Sequence, residues 1–94
     1  MLVFKMQLWP FGNEERQRDL AEIRIWNKSA FPKDNGLSDY GYSIVEPQSK
    51  YSPGYDLKGD VLDWDRDQSA LYLLNHILTV EGFNTYAGRD IEKD

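Results

Sequence analysis

The sequence predicts an α+β fold: an antiparallel sheet of three to four strands with one C-terminal helix, at about 68–80, packed on one face. Three observations point there. Short segments in the first two thirds alternate apolar and polar residues with strand period. Pro, Gly and Asn punctuate those segments. The last third holds one apolar stripe of helical period.

The elements follow in order. Leu2, Phe4, Met6 and Leu8 alternate with Val3, Lys5 and Gln7, a strand pattern. Phe4, Leu8 and Phe11 also fall at helical spacing, so an amphipathic anchor helix is the rival, and Pro10-Phe11-Gly12 stops either one. Asn13 to Asp19 suits a helical turn capped by Asn13, with Glu14 and Glu15 placed for the dipole. Ala21, Ile23 and Ile25 alternate with Glu22, Arg24 and Trp26, giving a second strand near 20–27. Lys33-Asp34-Asn35-Gly36 is a reversal signal, because Asn-Gly accepts positive φ. In the third strand Tyr40, Tyr42 and Ile44 oppose Gly41, Ser43 and Val45, until Pro47, which has no N–H for a ladder. Residues 48–54 form a loop with a Ser52-Pro53-Gly54 turn, and a fourth, shorter strand covers Tyr55–Leu62. Asp65 or Asp67 then caps a helix from about Gln68 to Val80. Its stripe is Ala70, Leu71, Leu73, Leu74, Ile77 and Leu78, and Gly82 is the expected residue after its C-cap.

Ninety-four residues suit a single small domain, 1–94, with residues 88–94 as a frayed tail. With no cysteine there is no disulfide framework and no thiolate nucleophile, which fits a reducing, cytoplasmic setting. The net charge of −5 divides into +2 on residues 1–33 and −7 on residues 34–94. Such a chain lacks the basic stripe of a nucleic-acid binder, and no apolar run is long enough to span a bilayer, so neither is expected as a partner.

Catalytic patterns are sparse. His76 is the sole histidine and sits on the polar helix face without a neighbouring nucleophile. There is no nucleophile elbow, no zinc-protease pair and no glycine-rich phosphate loop, so the chain reads as non-enzymatic and no cofactor is expected. Asp60, Asp63, Asp65 and Asp67 form an acidic ladder. Read as a calcium loop from Asp63, it supplies three alternate carboxylates, but Gln68 stands where the turn needs Gly and Leu74 where the loop ends in Glu. Carboxylates ahead of a helix and on an edge strand explain Asp63, Asp65 and Asp67 more simply.

The remaining feature is aromatic. Phe31, Tyr40, Tyr42, Tyr51, Tyr55 and Trp64 surround the hairpin and the loop after it, interleaved with Asp39, Asp56 and Asp60. Tyr beside carboxylate suits recognition of a basic protein. The expected function is therefore a small protein-interaction module, with Tyr51, Tyr55, Tyr40, Tyr42, Asp39 and Asp56 binding a protein partner or a second copy as a homodimer. An acidic mimic of nucleic acid that inhibits a basic protein, or a weak divalent-cation module, are the alternatives.

Overall fold

Alternation becomes pairing in the computed structural model, which describes residues 1–9, 20–29, 31, 33–50 and 53–84. Four strands, β1 (Leu2–Gln7), β2 (Leu20–Asn27), β3 (Leu37–Glu46) and β4 (Tyr55–Asp65), precede one helix, α1 (Ala70–Val80). Each strand pairs antiparallel with the next, and the sheet order is β1-β2-β3-β4. This is the α+β architecture that the alternation and the apolar stripe predict. The first segment is a strand, not an anchor helix, because Leu2 to Gln7 pair residue for residue with Ile25 to Leu20. The helical turn at 13–19 and the tail at 88–94 lie outside the described residues.

Two boundaries differ from expectation. Rather than being the shorter strand that ends at Leu62, β4 runs on to Asp65 and is the longest of the four. Tyr40 pairs with Val61 but Ser38 pairs with Trp64, so Asp39 alone faces both Leu62 and Asp63. That is a β-bulge. It shifts the alternation by one, so Tyr55, Leu57 and Val61 face the helix and Trp64 does too. Read at strict period two, the pattern breaks at Leu62. Asp63 takes up the kink at φ 57°, a left-handed conformation that Asp tolerates better than most residues.

The helix starts two residues later than expected, and neither Asp65 nor Asp67 is its cap. Asp65 Oδ1 accepts the Asp67 N–H at 2.9 Å and the Asp65 carbonyl accepts the Gln68 N–H at 3.1 Å, which closes a separate turn. Ser69, extended at φ −66°, ψ 157°, is the N-cap; its Oγ accepts the Tyr72 N–H at 3.3 Å. At the other end Gly82 stands at φ 86° after the Glu81 cap. The Phe83 N–H bonds the Leu78 carbonyl at 2.8 Å and the Gly82 N–H bonds that of Thr79 at 3.1 Å, a Schellman closure. It turns buried Phe83 back into the core, where its ring lies 5.7 Å from that of Tyr55. Beyond it, the Asn84 N–H meets the Trp9 carbonyl at 2.9 Å.

The core is a single layer between sheet and helix. Ala21, Ile23 and Ile25 of β2, Tyr42 and Ile44 of β3 and Val61 of β4 face Leu73, Leu74, Ile77 and Leu78 of α1. Phe4, Met6, Leu57 and Trp64 close its rim. Tyr42 folds across Gly59, its direct partner on β4; a Cβ at Gly59 would run into the ring and hydroxyl. The phenol then donates to Glu81 Oε2, so the centre of the sheet holds the C-cap of the helix. Burial, then the Glu81 carboxylate, pushes the Tyr42 phenol up to about 12.

Two outcomes follow from this layer. Leu74 is fully buried, so Leu74→Ala should cost about 2–5 kcal/mol by urea unfolding. Tyr42 binds its proton more tightly folded than unfolded, where tyrosine titrates near about 10. The Tyr42 contribution should therefore be fully present below pH ~10 and be lost as pH rises toward about 12. Tyr42→Phe should weaken the fold at neutral pH and flatten that alkaline loss, read by unfolding at a series of pH values.

Candidate interaction face

Helix α1 covers one face of the sheet. The other face is built from the alternate residues of each strand: Val3 and Lys5; Leu20, Glu22, Arg24 and Trp26; Gly41, Ser43 and Val45; and Asp56, Lys58, Asp60 and Leu62. Large apolar side chains remain open to solvent there. Val3 is 52% exposed, Leu20 59%, Trp26 38%, Val45 38% and Leu62 64%.

Two features shape this face. Trp26 lies flat across its partner Gly41; a Cβ there would stand 2.6 Å from the indole, so the ring occupies the space a side chain would take. Next to it is a shallow groove of about 500 Å³ bordered by Lys5, Leu20, Glu22, Arg24, Ser43, Val45 and Pro47. Glu22 lies between its cations, 2.6 Å from Arg24 Nε and 3.9 Å from Lys5 Nζ. The groove thus has apolar walls and a charged strip of two cations around one carboxylate, net positive by one.

At the far end of this face the acidic ladder meets lysines. Lys33 Nζ bridges Asp39 at 2.8 Å and Asp63 at 2.7 Å, and Lys28 Nζ holds Asp60 at 3.0 Å. Asp39 Oδ1 also accepts the N–H of Asp63 at 3.0 Å, and the Asp39 N–H donates to Ser29 Oγ at 3.1 Å. The Lys33 ammonium, then the Asp63 N–H, holds the Asp39 carboxyl below its usual range; the same two carboxylates raise Lys33. Asp63, Asp65 and Asp67 do not converge. One is ion-paired, one closes a turn, and among the described residues no three acidic or histidine side chains gather into a metal site.

The sheet divides the expected Tyr/Asp surface between its two sides. Tyr40, Tyr42 and Tyr55 belong to the helix side, Tyr42 in the core and the other two packed against it. Asp39 and Asp56 belong to the open side. Tyr51 lies outside the described residues. The alternation that puts Tyr40 and Tyr42 inward is the reason: residues one apart in a strand cannot share a face. His76 is exposed and its ring lies tilted at 40° against that of Trp64, with centroids 5.2 Å apart. Leu20, Trp26 and Val45 fall on the otherwise polar phase of the alternation, where Trp26, flanked by Ile25 and Asn27, is the largest apolar side chain.

The chain matches no family model, no curated protein and no solved structure. Among the described residues no helix is long and apolar enough to cross a membrane.

Asp39, with its carboxyl lowered, stabilises the fold above the unfolded carboxyl value near about 4, and that contribution disappears as pH falls through its lower folded value. Asp39→Asn should therefore be less stable than the parent near neutrality. The gap should close on acidification, measured by urea midpoints between neutral and acid pH.

Proposed function

We propose that this protein is a small non-enzymatic interaction module that binds a protein partner through the sheet face opposite α1. One observation carries the reading: that face keeps Val3, Leu20, Trp26, Val45 and Leu62 open to solvent around a groove, while the helix covers the middle of the other face. Flat apolar surface interrupted by ion pairs is what a protein epitope covers. Trp26 is the natural anchor, since an indole already laid on the backbone loses little freedom on binding.

The rival readings draw less support. An acidic mimic needs unshielded carboxylates, yet Lys28 and Lys33 engage Asp60, Asp39 and Asp63. A cation-binding ladder meets the same obstacle at Asp63. Asp56 remains a fitting contact for a basic side chain on the partner, at the β4 side of the face.

Leu20→Glu tests the reading. Leu20 is well exposed at the strand start, so the change should leave the unfolding free energy within about 0.5 kcal/mol by urea titration. It should also abolish capture of the partner that the parent chain retains from native lysate. Equal capture by parent and variant would defeat the open face as the binding surface.

A further inference from the structure

The two outer strands of the sheet are built differently. β4 carries Asp56, Asp60, Asp63 and Asp65 against the single Lys58, and the bulge at Leu62–Asp63 kinks it. Charges and a bulge on an edge are the usual protections against pairing with another sheet. β1 has neither. It is Leu2-Val3-Phe4-Lys5-Met6-Gln7, with one charge, an unbroken ladder to β2 and no strand on its outer side among the described residues. On its helix side Phe4 and Met6 are only half-buried at the core's rim, and Leu2 is 39% exposed.

We propose that β1 pairs antiparallel with β1 of a second copy, about a two-fold axis at Phe4, joining two sheets into one. This goes beyond the open-face reading and uses the outer edge of β1, whose Val3 and Lys5 also border that face. Charge decides the occupant. Even with Lys28 on Asp60 and Lys33 on Asp63, each β4 edge keeps an excess of carboxylates, and two such edges repel. Two β1 edges centred on Phe4 place Leu2 opposite the partner's Met6 on the helix side, extending both cores. On the open side Val3 lies opposite the partner's Lys5, and no like charges face each other. An isologous contact of this kind closes at two copies and leaves the guarded β4 strands at both ends. The register is also sharply defined, because a slip of one residue would turn Phe4 and Met6 out of the joined core.

The Val3–Lys5 juxtaposition gives a test with two signs. Val3 is half-exposed, so Val3→Glu and Val3→Lys should both leave the monomer folded by circular dichroism and urea unfolding. In sedimentation equilibrium of the full chain, the parent should show a monomer–dimer equilibrium. Val3→Glu, facing Lys5 twice across the axis, should tighten it by about threefold to tenfold, and Val3→Lys should weaken it by a similar factor. The difference should shrink at high salt. Hydrogen exchange at Leu2 to Met6 should slow as protein concentration rises. A monomer at every concentration, equal dimerisation of the two variants, or species growing beyond the dimer would each overturn the proposal. So would protection of β1 that ignores concentration and vanishes when residues 85–94 are removed, since the chain's own terminus would then hold the edge. Leu20→Glu separates this contact from the open face: it should still dimerise while losing partner capture.

Discussion

A single helix laid on a four-stranded sheet sets most of what this molecule is. The helix is roughly 10 Å across, whereas the outer strand axes of four strands stand about 14 Å apart. It therefore seals the middle of one face and no more. Ile23, Ile25 and Ile44 are buried almost completely beneath it, against Leu74, Ile77 and Leu78 of the helix itself, while Phe4, Met6, Tyr55 and Leu57 at either side are only partly covered. Burying a large aliphatic side chain contributes about 1.5–3 kcal/mol, so the central rows carry the stability. The opposite face is left with apolar residues for which the helix offers nothing.

Aromatic rings complete both surfaces by using glycine. Tyr42 lies over Gly59 on the covered side and Trp26 over Gly41 on the open side, each on its direct cross-strand neighbour. A ring placed this way shields the backbone of the next strand and restores packing that the missing side chain gives up. The consequences differ by face. Tyr42 reaches the helix C-cap through Glu81 and locks the two layers together, while Trp26 stays 38% exposed on the open face.

The ion pairs at the β2–β3 loop have a different role. Lys28, Lys33, Asp39, Asp60 and Asp63 are all solvent-accessible, and such pairs contribute little to stability individually. Their arrangement matters more than their strength. A left-handed Asp costs about 1–2 kcal/mol, and Asp39 offsets part of it by accepting the Asp63 N–H while Lys33 holds the Asp63 carboxylate. The loop and the bulge therefore hold each other in place. The acidic ladder is spent on that bulge and on the turn before the helix, which is why it offers no converging set of ligands.

Local alternation and punctuation were enough to place β2 at residues 20–27, to end β3 at Pro47, to put Leu73, Leu74, Ile77 and Leu78 in one stripe, and to set Gly82 after the helix. These depend on period and on backbone preferences that a residue carries with it anywhere. Three things were decided only when the strands came together. The bulge depends on how β3 and β4 register, so Trp64 turned inward against the alternation. The cap passed from Asp65 and Asp67 to Ser69 because a turn at the strand's end takes the Asp65 carboxylate and the Asp67 N–H, and the helix starts only after it. The Tyr and Asp residues, neighbours in sequence, were parted by the pleat onto opposite faces, and the groove beside Trp26 was assembled from three strands. Period is a property of the chain; which residues meet across a sheet is a property of its pairing, and the candidate site is made of such meetings.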